Sequence, residues 1–413
     1  MDGIEEQYIN HPYPEPIENM DERISNNYAQ ISGMDLLWEK IFPEKEYDEN
    51  IDVLIAGCGT NQAVYHAMKF PNSKNYAIDV SQASLNHIKK MIRKFDIKNL
   101  EVEKKDINDL DGSEKFDYIV STGVIHHTKN PQESLNQLVR LTKNDGALFI
   151  MVYAIYLRQG IYYLQDAFKY LGLKPTKRGV QSIKSLISQL PKDHYAFNYI
   201  KAIENTAGTN DLSFEAGIID TFLNARDQAF DIYKLKQLIE KSGAFFQCWQ
   251  DNYYYYRDLL DFSKNPHIRN HYENLGPWEK ADFTQKINPN SGRFSFILRK
   301  NISFSHLWYD KNKIEDKHFA YTNALYSNVD PLDILNNSGG AVGNKMIKFK
   351  LTIRGRIIWN NLNQEICDVL KKTNIDFKEN NIEKIILNTL IDALHIFWRR
   401  GKIDFSFVKI QKK

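Results

Sequence analysis

Cysteine is scarce: Cys58, Cys248 and Cys367 are the only three in 413 residues. An odd number at wide spacing supplies neither a disulfide framework nor a zinc-ligand motif. It suits a reducing compartment, so the cytoplasm is the expected location and no metal site is expected. An excess of one charge is lacking too. Lys and Arg total 54 against 52 Asp and Glu, a formal net charge of +2. A nucleic-acid binder would show a basic excess, so nucleic acid is not an expected partner. No apolar run reaches the ~18 residues of a membrane span, which argues against a membrane protein. The opening stretch MDGIEEQYINHPYPEP is acidic and has no apolar signal segment, so no secretory leader is expected. Internal repeats are absent. What remains is 42% hydrophobic and 13% aromatic, enough to pack two or three domains.

Residues 1–45 read as a polar, proline-containing arm or lid, with a helix over 28–41. From 51 onward the pattern alternates. Strands are expected at 53–57, 74–80, 100–106, 116–123 and 146–154. Helices are expected at 63–70, 81–95 (opened by a Ser cap) and 131–142. Strands alternating with helices predict an α/β, doubly wound, Rossmann-like parallel sheet. The alternation stops at about 156–230, a helical insertion read as a substrate cap. It resumes with a helix at 231–243 and strands at 244–250 and 293–300, closing a domain of residues 46–300. Residues 252–278 are aromatic and irregular. Residues 301–413 read as short strands around 348–355, two helices and a final strand, a winged-helix-like α+β plan.

The stretch VLIAGCGTNQA (53–63) runs a strand into a glycine turn. A dinucleotide site would use G-x-G-x-x-G/A with an acid about 20 residues on. Gly57, Gly59 and Asp79 fit that pattern. Gln62 at the third glycine position does not, because it would crowd a pyrophosphate. A second acid, Asp106, ends the third strand, where a dinucleotide needs none. S-adenosylmethionine accounts for both acids. Asp79 can accept from the ribose diol and Asp106 from the adenine amino group. The Ile107 amide can reach the adenine ring.

The pieces VLIAGCGT, YAIDVS, EKKDINDL and FDYIVSTGVIHHTKNPQESLNQLVRLTKNDGALFIMVYA resemble the class I S-adenosylmethionine-dependent methyltransferases. The fourth piece resembles the branch that mostly modifies small molecules. The likeness is strong over about 100 residues and weaker out to 300. It implies S-adenosylmethionine as cofactor, with Ala56, Gly57, Cys58, Gly59, Asn61, Asp79, Val80, Asp106, Ile107, Thr122 and Gly123 around it. Asn61 is a departure, since many relatives carry glycine there.

His126 and His127 follow the fourth strand, beside the expected methyl position. They are candidates for a catalytic base or for substrate contact, against the plainer reading that they order the loop. Tyr13, Tyr153, Arg158 and Arg226 are candidate substrate contacts, and Tyr253 to Tyr256 add an aromatic cluster. Packing at interfaces is the plainer reading for most of these tyrosines. Cys58 is expected to be a packed small residue. The tail loosely resembles PqqD-like winged helices, which suggests a peptide or protein partner through 301–413. The expected activity is methyl transfer to a small molecule. The rivals are a protein or peptide side chain delivered through the tail, and a non-catalytic scaffold. A homo-oligomer is compatible with each.

Overall fold

The computed structural model describes residues 3–302, apart from 26–31, 43, 46, 205–210, 251–265 and 290–291, together with the strands at 339–342 and 345–348. The chain divides into two compact units. The first comprises 1–24, 48–245 and 285–302; the second comprises 25–47, 246–284 and 303–413.

The first unit opens with α1 (Gly3–Asn10) and α2 (Met20–Ser25). Helix α3 (Met34–Ile41) belongs to the second unit. There follow β1 (Asp52–Ala56), α4 (Gln62–Lys69), β2 (Lys74–Asp79), α5 (Gln82–Lys94), β3 (Leu100–Lys104), β4 (Phe116–Thr122), α6 (Pro131–Leu141) and β5 (Thr142–Tyr153). The helical segment contains α7 (Ile155–Tyr170), α8 (Lys177–Ser188), α9 (Ala196–Glu204) and α10 (Glu215–Phe222). After it come α11 (Ile232–Ser242), β6 (Phe245–Trp249), α12 (Pro266–Glu273), α13 (Pro277–Ile287) and β7 (Arg293–Arg299). Strands β8 (Gly339–Val342) and β9 (Lys345–Lys348) pair antiparallel.

The sheet order is β3-β2-β1-β4-β5-β7-β6. Strands β1 to β5 pair parallel, and β7 runs antiparallel to β5. β1 shows why the pattern encodes this: Val53, Leu54, Ile55 and Ala56 are all fully buried, as a central parallel strand covered on both faces requires. The order reverses between β1 and β4, so the ends of β1, β2 and β4 open onto one crevice, where ligands of doubly wound sheets bind. The helices carry the expected caps. Ser81 accepts from the Ser84 amide, and Asn130 from the Glu133 amide ahead of Pro131.

The helical segment builds its own core from Ile161, Leu164, Phe168, Val180, Ile183, Ile200, Ile218, Ile219 and Phe222. Gly217 permits one close approach there. A Cβ on it would sit 2.0 Å from the Asp211 carbonyl oxygen, so only glycine lets the 211–213 turn fold against α10.

Three local expectations differ from the structure. The first 45 residues are less irregular than their polarity suggests, because α1 and α2 form there. Helix α7 starts at Ile155, five residues before the helix-like stretch GIYYLQDAFKYLG (160–172), as β5 passes into it almost directly. Part of 252–278 is helical, in α12. The tyrosine cluster 253–256 and almost all of the winged-helix expectation lie outside the described residues. Among the described residues no helix is long and apolar enough to cross a membrane.

In the second unit, buried Lys40 on α3 donates from Nζ to the Gln250 carbonyl (2.7 Å), and Gln247 donates to the Lys40 carbonyl (2.7 Å). Phe246, Trp249 and Trp278 pack edge-on or tilted against one another, with Phe246 4.9 and 4.7 Å from the two indoles.

Candidate functional site

The glycine turn is built as its sequence requires. Gly57 (φ +73°) and Gly59 (φ +54°) are left-handed, a region side chains with a Cβ disfavour. A Cβ on Gly57 would lie 2.3 Å from Val124 Cγ2, so the turn packs directly on the loop after β4. The amides of Gly57 and Cys58 donate to the Ile78 carbonyl at 2.9 and 3.0 Å. That stitches the turn to the tip of β2 and brings Asp79 beside it.

Asp79 Oδ2 accepts from the Gly59 amide at 2.8 Å, and Oδ1 from the Ser81 amide at 2.8 Å. Burial pushes its carboxyl pKa up, and the backbone N–H bonds pull it back. Asp106 stands one strand further out. Its Oδ1 accepts from the Asn108 amide at 2.9 Å and caps the 107–109 turn, with Ile107 buried beneath. Across the crevice, Gln62 Nε2 donates to Thr122 Oγ1 at 3.1 Å, so this side chain bridges to β4. Gly123 is again left-handed (φ +77°), and its amide bonds the Met151 carbonyl. Gly57, Gly59, Asp79, Val80, Asp106, Thr122 and Gly123 are all half-buried, whereas Ala56, Cys58, Asn61 and Ile107 are buried. A ring of half-exposed strand tips on a buried sheet is a place for a ligand to lie. It offers backbone amides as donors and two carboxylates as acceptors, which fit a diol and an amino group. Cys58 is packed, and burial pushes its thiol pKa well up, which removes it as a nucleophile.

Asn61 adopts φ −125°, so it does not replace glycine for reasons of backbone conformation. Its amide instead holds the N-terminal segment: Oδ1 accepts from the Ile17 amide at 2.9 Å, and Nδ2 donates to the Glu15 carbonyl at 2.8 Å. Thr60 Oγ1 donates to the Pro14 carbonyl at 2.6 Å. Ser81 Oγ donates to the Tyr8 carbonyl at 2.9 Å. The segment therefore lies along the glycine turn.

From there it reaches the helical segment. Tyr8 donates to Asp220 Oδ1 at 2.7 Å, and Tyr13 donates to Asp211 Oδ1 at 3.1 Å while stacking on Phe214. Tyr153, at the end of β5, donates to Asp220 Oδ2 at 3.0 Å. Burial and the neighbouring Asp220 push the Asp211 carboxyl up to about 6.

His126 and His127 sit against this cluster. The His126 ring lies 4.0 Å from those of Tyr153 and His127. It is fully buried, and neither ring nitrogen has a partner. Burial holds its pKa well below the usual histidine range, with His127 and Arg158 adding to the effect, so the imidazole is neutral. His127 Nδ1 pairs with the Arg226 carbonyl at 2.6 Å, and the Arg226 guanidinium donates to the His127 carbonyl at 3.2 Å. Arg226 thus braces the histidine loop. Arg158 lies buried behind Tyr153, its guanidinium carbon 3.7 Å from the ring centroid. It faces Asp227 at 3.4 Å in a pair buried on both sides. His126, His127 and Asp227 bring three metal-type donors within 4.8 Å. The Asp227 carboxylate is already taken by Arg158, Tyr162 and Gln165, whose cation also opposes a second one.

The eleven expected cofactor residues lie at the ends of β1, β2 and β4 and in the turns after β1 and β3, while His126, His127 and Tyr153 pack on one another and Tyr13 bonds Asp211. Arg158 and Arg226 stand one layer behind. Tyr8, Asp211 and Asp220 escaped the sequence reading. Asp220 had a signal: an acid between Ile218, Ile219 and Phe222 in an apolar helix needs partners.

Comparison with known proteins agrees with this geometry. Residues 47–177 match the family model described as a methyltransferase domain. An uncharacterised protein of Synechococcus is 25% identical over 270 residues, 63% of each chain. (S)-Coclaurine N-methyltransferase of Papaver somniferum is 28% identical over 131 residues, 32% of this chain and 36% of that protein. The chain thus spans less than two thirds of the length of these relatives. The structure of PKMT2 from Rickettsia typhi superposes with TM-score 0.60 at 15% identity, covering 91% of this chain and 75% of that one, a likeness of fold. Residues 47–177 thus form a methyltransferase domain, and the strand order and the acids after β2 and β3 agree with the class I S-adenosylmethionine-dependent form of that fold.

Proposed function

We propose that the chain transfers the methyl group of S-adenosylmethionine to a small-molecule acceptor. The bound cofactor supplies an activated sulfonium methyl, so the protein's task is in-line positioning and exclusion of water. Asp79 would hold the ribose hydroxyls, and Asp106 with the Ile107 amide the adenine. The turn from Ala56 to Gly59 would approach the methionine portion, flanked by Val80, Thr122 and Gly123. His126 would face the acceptor. Asn61 would act at one remove, by fastening the N-terminal segment. The observation that carries the reading is that segment: residues 8–17 bond both to the glycine turn and to the cap carboxylates. A strap tied on both sides favours an enclosed acceptor over an open trough for a polypeptide. The S-adenosylhomocysteine-bound form of PKMT2 (TM-score 0.56) carries a ligand of this class on a similar fold.

The test is incubation with methyl-tritiated cofactor in a cell extract, followed by size separation. Label in the small-molecule fraction supports the proposal. Label confined to polypeptide overturns the acceptor, and no transfer at all overturns the activity.

A further inference from the structure

Two carboxylates, buried Asp220 and half-buried Asp211, lie close enough to perturb each other where a neutral acceptor would need none. Asp220 is 3% exposed, and its charge raises Asp211. Burying like charges together is unfavourable unless something cationic answers them. Arg158, itself paired with Asp227, and Arg293 do so only in part, and the Asp211 carboxyl still stands at about 6. Asp211 uses Oδ1 for Tyr13, and Oδ2 makes no hydrogen bond among the described residues. His126 is a second and separate observation. It is 0% exposed, both nitrogens lack a partner, and its ring packs on Tyr153, whose hydroxyl is on Asp220. A buried polar group left unpaired costs roughly 1–3 kcal/mol, so an unanswered imidazole beside a reaction crevice points to a ligand donor. One chemical group would answer all three side chains: a cation with several N–H donors, beside Tyr8, Tyr13 and Tyr153, whose hydroxyls hold the two carboxylates.

Resting on the methyl-transfer reading above, we infer that the acceptor is an amine, bound as its ammonium by Asp211 and Asp220 and hydrogen-bonded to His126. The step balances within this set. The ammonium gives one proton to the Asp211 carboxylate. The freed nitrogen lone pair forms the N–C bond to the methyl, and the C–S bond breaks with its electron pair going to sulfur. The products are a methylated ammonium and S-adenosylhomocysteine, and Asp211 returns its proton to solvent. The groups facing Asp211 that modulate this are Asp220, which raises its pKa, and Tyr13, Arg158 and Arg293, which lower it; Tyr199 also lies within its field.

The experiment is calorimetry on the full chain saturated with S-adenosylhomocysteine. The probes are phenethylamine, Nα-acetyl-lysine methylamide and 2-phenylethanol, in two buffers of different ionisation enthalpy. An amine should bind at least tenfold more tightly than the alcohol. At pH 5.5 its binding should release most of one proton, as the ammonium drives Asp211 to ionise, and at pH 7.5 almost none. Asp220→Asn and Asp211→Asn should each weaken amine binding at least tenfold and leave S-adenosylhomocysteine binding unchanged. Preference for phenethylamine identifies a free amine, and preference for the lysine derivative a lysine side chain. Equal binding of amine and alcohol, or amine binding indifferent to both substitutions, overturns the inference. Failure of S-adenosylhomocysteine itself to bind would instead strike the methyl-transfer reading. Should Asp220→Asn not fold, Asp211→Asn and the proton count decide.

Discussion

Substituting Gly57 by alanine tests whether the turn is held by the contact that shapes it. Two independent penalties arise. At φ +73° an alanine pays left-handed strain of roughly 1–2 kcal/mol. Its Cβ would also stand 2.3 and 2.7 Å from the two γ carbons of Val124, an overlap that forces rearrangement. Overpacking of this kind costs typically about 1–3 kcal/mol, and a β-branched valine has little rotamer freedom to escape. The sum is about 2–5 kcal/mol. Removing the γ carbons with Val124→Ala should recover the steric part and leave the strain. Urea denaturation of the wild type, both single variants and the double variant yields the coupling energy. The expectation is a favourable coupling of about 1–3 kcal/mol, with the double variant still about 1 kcal/mol below Val124→Ala alone. Additive single effects, with coupling under about 0.5 kcal/mol, would show that turn and loop do not touch as described.

Other consequences can be checked in parallel. The Asp211 carboxyl rises from 3.8 to about 6 on folding. That is about 2 pK units, hence about 3 kcal/mol before and about 2 after allowance for its half-exposed position. A raised acid stabilises the fold below its unfolded pKa and loses that contribution as pH climbs through the folded value. Asp211→Asn should therefore match the wild type near pH 4 and exceed it by about 2 kcal/mol at pH 7.5 in thermal melts; equal pH profiles would refute the shift. Asn61→Ala removes both side-chain bonds to residues 15 and 17. It should cost about 1–2 kcal/mol locally and speed amide exchange over residues 11–17, while unchanged exchange would show that Asn61 does not hold the segment. Asp227→Ala leaves Arg158 buried without its carboxylate and should cost about 3–5 kcal/mol. Arg158→Met with Asp227→Leu should cost far less, and comparable losses would contradict a desolvated pair.

The sheet was legible because its signal is local. Strand positions such as Val53 to Ala56 are apolar on both faces, and turn glycines, the Ser81 cap and the strand-tip acids follow at fixed offsets. Those features place Asp79 and Asp106 without any long-range contact. The acceptor side was less legible, because its order is tertiary. Tyr8, Tyr153 and Asp220 meet although they lie 145, 67 and 212 positions apart pairwise, and no period in the sequence links a helix at residue 3 to one at 215. The departure of Asn61 from glycine had no visible reason in the sequence, because its side chain ties down a segment 46 residues earlier. Arg158 and Arg226 were expected near substrate; what the sequence could not show is that Arg158 pairs with Asp227 and Arg226 holds the His127 carbonyl.

The most direct measurement is calorimetric titration of the full chain with S-adenosylhomocysteine, comparing wild type with Asp79→Ala. Micromolar binding by the wild type, weakened tenfold or more in the variant as charge-assisted hydrogen bonds to the ribose are lost, is the result expected. No binding by the wild type, or equal affinity in a folded Asp79→Ala protein, would contradict the account.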